Sequence, residues 1–145
     1  VFIQWLCGQL ERSPSLSTRL QIEFPEYAVH ANMQHVRDLV QRLDAMDIRC
    51  GIDHFGKGFF SFGYLQTLKV HYLKIDGSYT HAIDTDEDNR FFIRALTETA
   101  HSIDMQVIAQ SVETPAERKV LEALDVDGIQ GFLTGKPAPL IQAAS

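Results

Sequence analysis

The stretch VIAQSVET, Val107 to Thr114, opens with mostly apolar residues and then bunches Gln110, Ser111 and Glu113 where a buried strand would emerge into solvent. Its end is built to present a carboxylate, yet it carries the neutral amide of Gln110. Four other short runs end in the same way: LQIEF (Leu20 to Phe24), RCGID (Arg49 to Asp53), YLKID (Tyr72 to Asp76) and GIQGF (Gly128 to Phe132), with QVIAQ (Gln106 to Gln110) as the fifth of the set. Short apolar runs closing on polar residues are expected of buried parallel strands with functional groups at their carboxyl ends. Between them, ANMQHVRDLVQRLDAM, DEDNRFFIRALTETAHSIDM and TPAERKVLEALD space apolar residues as helices do, and Thr114-Pro115 supplies an N-cap followed by a first-turn proline.

Strands alternating with helices predict βαβ units and a parallel sheet. No GxGxxG or P-loop follows any strand, and polar residues close every strand rather than one switch point. Both features favour (β/α)8 barrel units over a doubly wound sheet. Such a barrel needs about 250 residues, and this chain has 145 with five strands. The predicted fold is therefore an α/β partial TIM-like barrel, undivided by any Gly/Ser- or Pro-rich linker and without internal repeats.

Composition narrows the function. With 45% hydrophobic and 22% charged residues the chain fits one globular domain with a sizeable core. No apolar run approaches the roughly 20 residues that span a bilayer, and VFIQWLCGQLERS lacks the parts of a signal peptide, so a cytoplasmic location is expected. Cys7 and Cys50 show no metal spacing and read as small buried hydrophobes, a disulfide being the less favoured reading. A net charge of -6 without a basic cluster argues against a nucleic-acid polymer as partner. An anionic ligand has to be held by a few placed groups or by metal ions.

The strand-end set is Glu23 and Glu26, Asp53 and His54, Lys74 and Asp76, Gln110 and Glu113, and Gln130. In a barrel these converge on one face, where carboxylate and amide oxygens suit Mg²⁺ or Mn²⁺ and a lysine neutralises a phosphate oxygen. The plainer reading makes each a solvated residue where a strand meets a loop. That reading holds well for one position and poorly for five strand ends in a row.

From Leu20 to about Pro139 the chain resembles the EAL domain, a barrel family that binds cyclic di-GMP and in active members hydrolyses it. IEFPE stands where the family has E-[IL]-T-E. DHFGKGFFSFGYL is similar to D-D-F-G-T-G-Y-S-S-L-x-Y-L, LKIDGSY to L-K-I-D-x-S-[FY], VIAQSVET to V-[IV]-A-E-G-V-E-T, and IQGFLTGKP to [VI]-Q-G-[YF]-L-[FL]-[SG]-[RK]-P. The resemblance implies that residues 1–145 are the C-terminal portion of a single EAL domain. The literal EAL at Glu122 to Leu124 lies inside a helical pattern; the family's name-giving glutamate ends a first barrel strand that this chain does not contain, so the ligand site is expected to be completed outside it.

The departures fall on chemistry. His54 takes the place of the second aspartate of D-D, a residue tied to a second metal ion in active members, and imidazole suits Mg²⁺ poorly. Gln110 takes the place of the glutamate proposed as the general base, and an amide is no base near neutral pH. Ser111 replaces a glycine, and Pro25 and Lys57 each replace a threonine. The retained positions imply a ligand-binding set of Glu23, Asp53, Lys74, Asp76, Glu113, Gln130, Gly131, Phe132 and Pro137, with Phe132 offering an aromatic face and Pro137 an apolar one near the family's guanine. For Phe132 the alternative is a core residue after the last strand.

The resemblance and its departures together imply a degenerate, catalytically inactive domain that binds cyclic di-GMP as a signalling receptor. No cofactor is expected to be required; Mg²⁺ or Mn²⁺, if bound at all, falls to Glu23 and Asp53. The losses look similar to those of inner-membrane receptors that control periplasmic proteolysis of a biofilm adhesin. The implied partners are GGDEF, HAMP and membrane segments of a larger bacterial protein, a periplasmic protease reached through it, and a second copy in a homodimer. An active metal-dependent phosphodiesterase and an interaction-only domain stand as alternatives. Elsewhere, Trp5, Leu6 and Leu10 read as a helix face packing on the sheet, Phe91, Phe92, Ile93 and Leu96 as part of the helix before QVIAQ, the remaining histidines as unrelated to metal, and DTDEDN as a solvated helix start.

Overall fold

The computed structural model describes residues 2–16, 18–58 and 63–139. Phe59 to Phe62 of the DHFGKGFFSFGYL block, and the chain beyond 139, lie outside the described residues. The elements in chain order are α1 (Phe2–Glu11), a 3-10 turn (Pro14–Leu16), β1 (Gln21–Pro25), α2 (Glu26–Ala31), α3 (Met33–Asp44), β2 (Arg49–Phe55), α4 (Gly63–Leu68), β3 (Tyr72–Ile75), α5 (Gly77–Thr80), α6 (Glu87–His101), β4 (Gln106–Ala109), α7 (Pro115–Ala123) and β5 (Gly128–Ile129). No helix among them is long and apolar enough to cross a membrane.

All five strands are parallel and lie side by side in the order β1-β2-β3-β4-β5. A doubly wound sheet reverses its order at a switch point, whereas here every crossover steps the same way, as in a segment of a barrel. The predicted partial barrel is the observed architecture. GIQGF is shorter as a strand than its apolar run suggests: pairing stops at Ile129, and Gly131 and Phe132 belong to the turn that follows.

Register shows how the sheet divides its faces. The pairings Phe24↔Ile52, Ile52↔Leu73 and Leu73↔Val107 form one apolar row, and Ile75↔Ala109 continues that face. These side chains pack into a core with Val40 and Leu43 of α3, Leu68 of α4, Leu96 of α6 and Leu121 of α7. The opposite rows carry Glu23↔Gly51, Gly51↔Tyr72 and Tyr72↔Gln106, then Pro25↔Asp53 and Lys74↔Ile108. The central strands β2 and β3 are buried on both faces, as expected. Period-two alternation also puts the polar side chains on one of those faces along the strands' length, and not only at their ends.

One further expectation is corrected. α1 packs chiefly on α3 and the 3-10 turn, with Cys7 and Leu10 buried in the core, while Trp5 is 58% exposed beside Phe2. Helical spacing explains this, because Ile3, Leu6, Cys7 and Leu10 share one stripe that leaves Trp5 on another side. Phe91, Phe92, Ile93 and Leu96 all lie on α6, the helix before β4, as expected; Ile93 and Leu96 are core residues, Phe91 points to solvent and Phe92 stacks on Tyr79 at 4.2 Å. The acidic run does start a helix: Asp86 is its N-cap and accepts from the Asn89 amide at 2.9 Å.

Gly51 sets the polar face. A Cβ there would lie 2.2 Å from the ring of Tyr72. Its absence lets that ring lie fully buried across the sheet, its hydroxyl donating to Glu23 Oε1 at 3.0 Å. Burial, reinforced by the Glu23 carboxylate, raises the phenol's pKa. Gly51→Ala is expected to destabilise by about 1–3 kcal/mol through overpacking, and Tyr72→Leu in the same chain should recover part of that loss. Urea unfolding of the two single mutants and the double mutant checks it; strict additivity would contradict the contact.

Candidate functional site

The carboxyl ends of the strands converge because they are parallel and consecutive, and local backbone geometry then aims the side chains. β2 and β3 lose register between Ile52 and Phe55, and His54 inside that irregularity has φ of 54°. In a regular strand Asp53 and His54 would point to opposite faces. The bulge lets both serve one side, in a left-handed conformation that Asp and His tolerate better than most residues.

His54 bridges two carboxylates. Its Nδ1 donates to Asp76 Oδ2 at 2.8 Å and its Nε2 lies 3.5 Å from Asp53 Oδ2. Lys57 Nζ reaches the same Asp76 oxygen at 3.1 Å, and Asp76 Oδ1 accepts from the Ser78 amide at 3.0 Å as the N-cap of α5. Burial raises the Asp76 carboxyl, but the Ser78 amide and hydroxyl, the His54 ring and the Lys57 ammonium outweigh it and hold the group well below the usual carboxylate range.

Gln110 stands just past β4, where its Nε2 donates to Asp53 Oδ1 at 2.9 Å. A glutamate there would set a second carboxylate against Asp53, a like-charge pair that needs a proton or a cation between its members. The amide turns that repulsion into a hydrogen bond. Gln110 Oε1 stays buried without a hydrogen-bond partner among the described residues. Thr80 donates its hydroxyl to the Gln110 carbonyl, which fixes the backbone at this point.

Deeper on the same face, Lys74 Nζ lies 2.7 Å from Glu23 Oε1, the oxygen that also accepts from Tyr72. Beyond β4 and β5, Gln110, Ser111, Glu113, Gln130, Gly131 and Phe132 line a pocket of about 180 Å³. The chain crosses itself here, and a Cβ on Gly131 would meet the Val112 backbone at 2.3 Å, so only glycine fits. Phe132 is 56% exposed, with Lys136 Nζ 5.6 Å from its ring centre, which removes the core-residue alternative. Pro137 sits in the exposed stretch after Lys136 and does not line the pocket. The predicted residues thus form three groups: Asp53, His54, Asp76 and Gln110; Glu23 with Lys74; and Glu113, Gln130, Gly131 and Phe132.

Some of the residues that build the site were not read from the sequence as doing so. Glu26, seen there only as a strand-end acid, is buried and accepts from the amides of Gly56 and Gly58 at 3.2 and 3.0 Å, while Tyr79 donates to the Gly56 carbonyl at 2.6 Å. Glu117 is buried and accepts from the amides of Ala82, Glu113 and Thr114. Burial pushes its pKa up and these amides push it down further, so the net shift is downward. Thr114-x-x-Glu117 is a capping box, legible in TPAE as Thr-x-x-Glu. The pairing of Lys57 with Asp76 left no such signal, since a loop lysine is ordinarily solvated.

The family implies a divalent metal at these carboxylates. As folded, Glu23, Asp53 and Asp76 already accept from nitrogen or hydroxyl donors, and no three His, Cys, Asp or Glu side chains among the described residues are grouped to hold an ion. With ammonium, imidazole and amide nitrogens already on those oxygens, the arrangement as folded does not fit a hard, oxygen-seeking cation.

Comparison with known proteins adds kinship to this geometry. The profile described as EAL domain matches residues 1–137. The signalling protein YkoW of Bacillus subtilis is 33% identical over 120 residues, covering 83% of this chain and 15% of that protein. The bifunctional diguanylate cyclase/cyclic di-GMP phosphodiesterase MucR of Pseudomonas aeruginosa is 33% identical over 72% of this chain and 15% of its own length. The solved phosphodiesterase PaMucR in complex with c-di-GMP superposes with a TM-score of 0.82 at 29% identity, over 91% of this chain and 53% of that one. Vibrio cholerae LapD, an S helix-GGDEF-EAL structure bound to c-di-GMP, superposes with 0.83 at 26% identity, over 92% and 32%. The chain therefore spans about 15% of these curated relatives and about half of the solved PaMucR chain.

Two outcomes are expected. Asp76 has a folded-state pKa below its unfolded one, so its contribution to stability is complete above about pH 3.9 and is lost as pH falls towards the folded value; Asp76→Asn should flatten the acid limb of a pH–stability curve, and an unchanged slope would refute the assignment. Ser111 has φ of 58°, so Ser111→Gly should stabilise by about 1 kcal/mol, as judged by its thermal midpoint.

Proposed function

Because the chain belongs to the EAL domain family, we propose that it is a receptor member: it binds cyclic di-GMP on the strand-end face and does not cleave it. The observation that carries this reading is the hydrogen bond from Gln110 to Asp53. A carboxamide at the base position, its Nε2–H committed to Asp53, has no basic site to take a proton from water near neutral pH. Loss of a general base costs about 10²–10⁴-fold in rate, and His54 at the second aspartate position adds to the loss.

Binding needs neither group. A guanine stacked on exposed Phe132 gains roughly 1–3 kcal/mol, and Gln130 and Glu113 offer polar contacts around the same pocket. Lys74, already charged beside Glu23, neutralises a phosphate oxygen. Asp53 and Asp76 position His54 and Gln110, while Pro137 supplies an apolar edge beyond Phe132. In this reading the domain works at the cytoplasmic side of a larger inner-membrane signalling protein with GGDEF and HAMP segments. It pairs with a second copy and relays the nucleotide signal to a periplasmic protease. Its likeness to LapD supports that context.

Calorimetric titration with cyclic di-GMP, alongside an assay for linear product in Mg²⁺ or Mn²⁺, tests the reading. Saturable heat without product is expected, and Gln110→Glu alone should leave turnover far below that of active members. Product that disappears in Lys74→Ala would make the protein an enzyme. Absence of heat would leave an interaction-only domain.

A further inference from the structure

We propose that Lys57 is a built-in counter-ion, its ammonium holding the loop after β2 onto Asp76 where a divalent cation would otherwise have to neutralise the two aspartates flanking His54. This goes beyond the receptor reading and does not require nucleotide to be bound. Asp76 is only 4% exposed, yet its carboxyl is held in the ionised form. A buried carboxylate needs positive charge or hydrogen-bond donors close by. It has both within the chain: Oδ2 meets Lys57 Nζ at 3.1 Å and His54 Nδ1 at 2.8 Å, and Oδ1 meets the Ser78 amide at 3.0 Å.

The neighbouring aspartate is served in the same way, by the Gln110 amide at 2.9 Å and by His54 Nε2 at 3.5 Å. A metal ligated by these oxygens would have to displace an ammonium, an imidazole and an amide hydrogen. Three residues that depart from the family pattern, His54, Lys57 and Gln110, thus act together as one internal replacement for a cation.

The consequence falls on the loop. Gly56 and Gly58 donate their amides to Glu26 and Tyr79 holds the Gly56 carbonyl, so one side of residues 56–58 is fastened by hydrogen bonds. Lys57 fastens the other side, to the end of β3. Its side chain is 63% exposed, so the pair adds little to global stability and acts locally as a positioning contact.

Amide hydrogen exchange at Gly56 and Gly58, measured on the purified protein without nucleotide in EDTA and in Mn²⁺, reads this contact. Wild-type protection should be the same in both solutions. Lys57→Met should exchange about fivefold faster at these amides in EDTA, the upper range for an exposed pair, and Lys57→Arg should retain protection. Wild-type protection that rises with Mn²⁺, or Lys57→Met exchange equal to wild type, would overturn the proposal. Neither result bears on cyclic di-GMP binding, so the receptor reading and this one fail separately.

Discussion

The loss of register between β2 and β3 at Ile52 to Phe55 is the constraint on which the site depends. Parallel pairing keeps five strands in sequence order and would send Asp53 and His54 to opposite faces. The irregularity, with His54 in a left-handed conformation, gives both to the strand-end side. Asp76 joins them because β3 ends one step further along, and Gln110 because β4 ends beside it. A one-residue slip in β2 would scatter the whole group.

Charge then explains which residue types can share that space. Two aspartates in contact with one imidazole form an acidic pocket that must be neutralised. In this chain the groups that meet those carboxylates are nitrogens of His54, Lys57 and Gln110, each on a different part of the β2–β4 framework, with Lys57 supplying positive charge and Gln110 a neutral hydrogen bond. The amide at position 110 is consistent with the lysine at position 57: one removes a negative charge, the other adds a positive one. The same economy appears at Glu23, whose carboxylate is shared between Lys74 and Tyr72.

The loops are held by buried carboxylates rather than by regular structure. Glu26 gathers the amides of Gly56 and Gly58, and Glu117 gathers those of Ala82, Glu113 and Thr114. Each ties an element's start to a loop distant in sequence. Close backbone approach does the remainder at Gly131, where the lack of a side chain permits the turn that sets Phe132 on the pocket rim.

From the sequence alone, the alternation of short apolar runs with amphipathic stretches determined a parallel α/β sheet. The motif spacing determined which strand ends carry Glu23, Asp53, Lys74, Gln110 and Gln130, because strand periodicity and chain order are local properties. Tertiary structure decided the rest: that the strands are polar along one face, that Trp5 is exposed, that GIQGF stops pairing at Ile129, and that Lys57 and His54 both reach Asp76. Those outcomes depend on register, on a bulge and on the approach of segments some twenty residues or more apart, and a linear pattern does not encode the distance between two side chains on different strands.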